Sequence, residues 1–307
     1  MIVGVLALVA GLALVVWGAE RFTDGAIHVA ARVAMSTFFV GAVVSGFEPE
    51  NLASGAAAAL GGLPQIALGT VIGSTIFLLT GALGLALLVA PMAVRVPSEG
   101  PVAMVLSVAL FALVLWNDGA VSRIEGAPLV AAALGLMFWL YRRSPVFHAE
   151  AEVRAASGLK IAVLLVGGAA VIVVGAELLV HGARTLLTIA GVSETFLGMV
   201  VVGMGESLEE TTRMTAPARR GHPELAWGNV VGTTVVLLTF NLGVLAMISP
   251  LIADPLVLRL HAPYLAGCTL LVAGALFFLP RLGRGAGVIL VLLFVGYLGL
   301  NLRHVWQ

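Results

Sequence analysis

The 307-residue chain is 60% hydrophobic and 10% charged, with a formal net charge of zero and a mean hydropathy of +1.10. Soluble domains carry about 25% charged residues, so this much apolar surface needs lipid as its solvent, and an ordinary soluble domain is excluded. Neutrality argues neither for nor against any partner, and a single cysteine, Cys268 in an apolar run, leaves no disulfide framework or thiolate metal site.

A spanning helix needs roughly 20 mostly apolar residues. On that ruler the first span is expected at residues 2–20. It lacks a basic leader and its end, WGAE, recurs later as VGAE, so it reads as a retained helix rather than a signal peptide. Span 2 follows at 33–60, interrupted by GFEPEN. Span 3 lies at 65–91, with a polar interruption at Gly73-Ser74-Thr75. Spans 4 and 5 lie at 101–117 and 126–142. The longest hydrophilic stretch of the chain, Arg142 to Lys160, comes next and divides two halves. Spans 6 to 10 are expected at 161–181, 192–219, 224–251, 262–279 and 285–302. The expected fold is therefore an all-α polytopic membrane protein of ten transmembrane helices, with helices 2, 3, 7 and 8 broken. The units are a first five-helix repeat at 1–142, a cytoplasmic connector at 143–160 and a second repeat at 161–307.

The halves repeat. Residues Gly46 to Gly69 pair with Gly205 to Gly228 at a constant offset of 159, placing Glu50 on Glu209 and Leu68-Gly69 on Trp227-Gly228. Beyond them Gly73-Ser74 falls on Gly232-Thr233. Earlier, Gly18-Ala19-Glu20 and Gly25-Ala26 match Gly175-Ala176-Glu177 and Gly182-Ala183 at offset 157. Five spans per half is an odd number, so the second copy must sit upside down relative to the first. Basic residues agree: with the termini on one face, the opposite face collects eleven Lys and Arg residues against four. By the positive-inside rule both termini are extracytoplasmic, the connector is cytoplasmic and the expected location is the inner (plasma) membrane.

Carboxylates inside apolar segments are costly and imply a polar cavity or an ion. Here they come twice, as Glu48 and Glu50 in SGFEPEN and as Glu206, Glu209 and Glu210 in GMGESLEE. Pro49 lacks an amide hydrogen and breaks the helix beside Glu50, and the carbonyls it frees can be satisfied by lining an ion site. Oxygen donors of this kind suit Ca2+, which takes six to eight. Further candidate ligands by type and neighbourhood are Asn51, Ser74 and Thr75 in the first half, and Ser207, Thr233 and Thr234 in the second, with Ser45, Ser54, Thr70, Thr211, Thr212 and Asn229 nearby. Five clustered carboxylates cannot all stay ionised at low dielectric, so some are candidates to carry counter-transported protons. Arg213, four after Glu209 and three after Glu210, can pair with either. It is either a structural ion pair at the cavity edge or an occupant of the cation position. The six histidines show no metal-ligand spacing and are expected at loops, helix ends and interfaces.

These segments resemble the two α-repeats of the sodium/calcium exchanger superfamily, the cation/Ca2+ antiporters. The family pattern, roughly G-T-S-x-P-E followed by A-L-G-N-x-x-G-S-N, corresponds to GESLEE with ARRGHPELAWGNVVGTT and to GFEPEN with LPQIALGTVIGST. The lead-ins WGAERFTDGA and GAELLVHGA belong to the same resemblance. It implies ten helices, external termini, alternating access and a divalent-cation site using one Glu from each repeat. Those are Glu50 and Glu210, with Glu209 or Asn51 in the alternative registers. The chain departs from the pattern at Leu78 and Leu237, where the family carries Asn or Asp.

The function expected is secondary active antiport of a divalent cation, Ca2+ first, against Na+ or H+. The chain is expected not to be an enzyme and to need no cofactor. Its expected partners are divalent and monovalent cations and the bilayer, not nucleic acid, with the oligomeric state open. Two alternatives stand beside this: a ten-helix small-metabolite transporter, which would not need paired acidic motifs, and an intramembrane metal-dependent enzyme, which lacks a supporting His-Glu motif.

Overall fold

The computed structural model describes residues 2–30, 42, 48–94, 96–143 and 157–305. Most of the expected start of span 2, Arg95 and connector residues 144–156 lie outside the described residues.

The described elements of the first half are α1 (Ile2–Ala30), α2 (Pro49–Leu60), α3 (Pro64–Val89), β1 (Met92–Ala93), α4 (Glu99–Asp118), β2 (Ala120–Val121) and α5 (Arg123–Arg143). The second half gives α6 (Gly158–Ala190), α7 (194–206), α8 (Glu210–Arg219), α9 (Pro223–Ile248), β3 (Leu251–Ile252), α10 (Val257–Phe278), β4 (Arg281–Leu282) and α11 (Arg284–His304). Among the described residues eight helices are long and apolar enough to cross a membrane: α1, α3, α4, α5, α6, α9, α10 and α11. The remaining pieces, α2 and the α7–α8 pair, carry the acidic motifs. In α3 and α9, 89% and 78% of the most apolar stretch is buried, against 22–44% in the other spanning helices. These two helices are the centre, and the others wrap them with one face left to lipid.

Two expectations about length and breakage need correction. Spans 1 and 6 are longer than expected, at 29 and 33 residues. At 1.5 Å per residue these helices run about 44 and 50 Å, beyond the roughly 30 Å of a hydrocarbon core, so each is expected to tilt or overrun it. Spans 3 and 8 are not broken. α3 runs without a gap through Gly73-Ser74-Thr75 and only widens to a π turn at Leu78–Ala82, as α9 does at Val236–Asn241. The hydroxyls of Thr75 and Thr234 donate to the carbonyls of Val71 and Val230 in their own helices, each at 2.7 Å. A polar side chain satisfied by its own helix does not interrupt it.

Span 7 is broken as expected. Helix ends at Glu206, Ser207 leaves helical geometry at φ −96° and ψ 10°, and α8 begins at Glu210. In the first half α2 starts at Pro49, whose missing amide hydrogen costs nothing at the first helical position.

Repeat-related parts meet one another. α1 packs along α6 through glycines spaced by seven: Gly4 against Thr185 and Gly182, Gly11 against Leu179 and Gly175, Gly18 against Ile172 and Gly168, Gly25 against Leu165. Numbers rise on one helix as they fall on the other, so the mates α1 and α6 are antiparallel. A Cβ at Gly11 would lie 2.4 Å from the Leu179 nitrogen, so this seam requires glycine. The strands tell the same story. β1 pairs with β4 (Met92 with Leu282) and β2 with β3 (Ala120 with Ile252). β3 is the repeat mate of β1 at offset 159, yet it sits with β2 at the far end of α4, about 30 Å away along a 20-residue helix. His261 stands near the start of α10, as expected of a helix end, and is buried there, its Nδ1 2.8 Å from the Tyr297 hydroxyl.

Candidate cation site

The two acidic motifs, far apart in sequence, converge beside the central helices. Glu50 stands in the first turn of α2 and Glu210 in the first turn of α8, where unpaired amides and the helix dipole favour negative charge. Glu48, Glu50, Glu206 and Glu210 are all at most 1% exposed. Glu209 is nearly buried, its side chain 10% exposed.

Arg213, one turn into α8, joins the copies. Its Nη1 lies 2.9 Å from Glu48 Oε1 and 2.9 Å from Glu210 Oε1. Its Nη2 lies 3.5 Å from Glu50 Oε1 and pairs with Glu209. The spacing along α8 accounts for Glu209 and Glu210; the contacts with Glu48 and Glu50 come only from folding. Among the described residues four carboxylates surround this one guanidinium, an excess of buried negative charge that a cation or bound protons must offset.

Neutral polar groups complete the lining. Asn51 Nδ2 donates to Glu48 Oε2 at 2.8 Å, and Ser74 Oγ lies 2.6 Å from Asn51 Oδ1 and 3.0 Å from the Gly203 carbonyl oxygen. From α9, Asn229 donates to Glu210, and Thr233 Oγ1 lies 3.5 Å from Glu48 Oε1. Ser74 therefore ties α3 to both broken spans, touching α2 through Asn51 and α7 through Gly203.

The expected residues divide into groups. Glu48, Glu50, Asn51, Ser74, Glu209, Glu210 and Thr233 are brought together. Glu206 is buried beside Ser54 and Glu50. Ser207 is buried at the helix break. Thr75 and Thr234 are buried, but their hydroxyls are committed to their own helices. Sequence reasoning missed Asn241, whose Nδ2 lies 3.5 Å from the Glu48 carbonyl oxygen and whose Oδ1 is buried without a hydrogen-bond partner among the described residues. A lone asparagine in the apolar run LLTFNLG was the available signal.

Among the described residues no three acidic, histidine or cysteine side chains converge as a metal cage. The carboxylates converge on Arg213 instead. The donor set is nonetheless all oxygen, as a hard cation prefers.

Glycine permits this convergence. A Cβ at Gly73 would lie 2.2 Å from the Met199 carbonyl oxygen, and one at Gly232 would lie 2.1 Å from that of Ala42. Gly73 and Gly232 are repeat mates, as are Ala42 and Met199, so each central helix crosses the broken span of the other copy at backbone contact.

The chain is similar to known proteins along nearly its whole length. The family described as "Sodium/calcium exchanger protein" matches residues 3–142 and 160–303. CaxA of Alkalimonas amylolytica is 29% identical, the alignment covering 97% of this chain and 98% of that protein. The inner membrane protein YrbG of Escherichia coli is 28% identical, over 98% of this chain and 97% of that one. Among solved structures the sodium-calcium exchanger NCX_Mj superposes with a TM-score of 0.70 at 25% identity, over 97% of this chain and 98% of the other.

Proposed function

The chain belongs to the sodium/calcium exchanger protein family, and from that premise we propose that it exchanges a divalent cation, Ca2+ first, for Na+ or H+ by alternating access. A family of ion antiporters is not a family of enzymes. The observation that carries the reading is the meeting of Glu48 and Glu50 from one repeat with Glu209 and Glu210 from the other, buried beside α3 and α9. Secondary transporters built from inverted repeats place their substrate between the halves, on broken helices.

Glu50 and Glu210 are the principal ligands in this reading, with Glu209 as the alternative register. Glu48, Glu206, Asn51, Ser74, Ser207 and Thr233 supply further oxygens, while Thr75 and Thr234 serve their helices. One acidic site binds either the divalent ion or its competitors, and rocking one half against the other changes which side it faces. Carboxylates left without a cation would hold protons, which makes H+ a feasible counter-ion.

The same reading gives ten membrane crossings, with α2 and the α7–α8 pair completing spans 2 and 7. The antiparallel α1–α6 mates and the placement of β1 and β3 at opposite ends of α4 support inverted repeats of 1–142 and 161–307. Both termini are then extracytoplasmic and the connector 143–160 cytoplasmic, in an inner or plasma membrane.

The test is uptake of radiolabelled Ca2+ into everted vesicles, driven separately by a Na+ gradient and a pH gradient. Uptake under one gradient, abolished by Glu50→Gln and by Glu210→Gln, is the expected result and names the counter-ion. Wild-type vesicles that take up no Ca2+ under either gradient would remove Ca2+ from the proposal.

A further inference from the structure

We infer that Arg213 is a tethered cation, holding the ion position between the two repeats and yielding it when the transported ion binds; this rests on the antiporter reading above. A guanidinium serving only to brace the cavity edge would need one or two carboxylates on one side. Arg213 instead faces four, two from each repeat, and both principal ligands are among them. Its Nη1 alone bridges Glu48 of the first copy and Glu210 of the second, at 2.9 Å each.

Among the described residues the carboxylates meet at this guanidinium, and no three of them are placed to hold a metal ion. A divalent ion bound by Glu50 and Glu210 would take the space the guanidinium fills, and two positive charges cannot share it. The Arg213 side chain is 13% exposed, and Glu209, four residues earlier on the same helix and 10% exposed, can retain it while Glu50 and Glu210 take the ion. Neutral Asn51, Asn229 and Ser74 hold the carboxylates in place during that exchange.

The consequence concerns coupling. When the divalent ion leaves, the protein's own charge returns to the carboxylates, so the return leg needs one fewer counter-cation than the same site without Arg213. The substrate and its tethered competitor exclude each other, and the weaker apparent affinity that results favours release.

Equilibrium binding of radiolabelled Ca2+ to the purified full-length protein reads this directly. Arg213→Gln is expected to tighten Ca2+ binding by about tenfold or more, Arg213→Lys to stay near wild type, and free methylguanidinium to compete with Ca2+ in Arg213→Ala but not in wild type. A brace predicts the opposite sign, so unchanged or weakened binding in Arg213→Gln overturns the inference and leaves the antiporter reading intact. No Ca2+ or other divalent binding in wild type and in every variant overturns both. Should the neutral variants fail to fold, wild type carries the test through phenylglyoxal modification of Arg213, followed by peptide mass spectrometry. Saturating Ca2+ should raise its reactivity several-fold; the same reactivity with and without Ca2+ overturns the inference.

Discussion

Ser74 and Thr75 are adjacent, both fully buried and both hydroxyl-bearing, yet they do different things. Ser74 reaches Asn51 and the Gly203 carbonyl across two other helices, whereas Thr75 returns to its own backbone. Ser74→Ala should leave the buried Asn51 oxygen short of a donor and lower stability by about 1–3 kcal/mol, with transport reduced, as read by thermal melting in detergent and by Ca2+ flux. Thr75→Val and Thr234→Val should keep flux within about twofold of wild type, because the hydroxyl they lose serves only the local helix. Flux lost on Thr75→Val but kept on Ser74→Ala would reverse these assignments. Sequence alone placed both residues near the carboxylates. It could not say which hydroxyl faced the site, because that depends on helix rotation set by the crossing with α7. The same holds for Arg213: its spacing from Glu209 and Glu210 was legible, while Glu48 and Glu50, more than a hundred residues earlier, were not.

At the level of elements, breakage was legible where covalent chemistry causes it and misread where polarity alone suggested it. Pro49 marks the start of α2 because it has no amide hydrogen to give. The break at Ser207 carries no proline and was reached only through the repeat. Gly73-Ser74-Thr75 of span 3 and Gly232-Thr233-Thr234 of span 8 looked like interruptions, but the glycines serve backbone crossings, and Thr75 and Thr234 bond within their helices. Gly73 and Gly232 are therefore predicted to tolerate no side chain. Gly232→Val should destabilise the fold by about 1–3 kcal/mol or more, since the obstacle is the Ala42 backbone and not a movable side chain, and detergent melting should show it. Melting at the wild-type temperature would contradict this crossing. Glycine at every seventh position of α1 and α6 was also present in the sequence. Its meaning, a seam between repeat mates, needed both helices in view.

For the whole molecule, the proposed topology rests on the repeat offset and the uneven distribution of Lys and Arg, because inversion follows from an odd number of spans per copy. The count of ten rests on combining two broken spans with eight continuous ones. It is testable by cysteine accessibility in a Cys268→Ser background, which removes the only native thiol. Cysteines placed in the connector 143–160 should react with impermeant reagents only from the cytoplasmic side, and cysteines at either terminus only from the opposite side. Termini labelled from different sides would mean an odd number of crossings and no inverted repeat of this kind. The central claim is narrower than topology: two acidic motifs, one from each copy, build one transport site. The stoichiometry of Ca2+ binding to the purified chain at saturation tests it most directly. One ion per chain, lost in Glu50→Gln and equally in Glu210→Gln, is the predicted result. Two ions per chain, with each substitution removing only one, would contradict it.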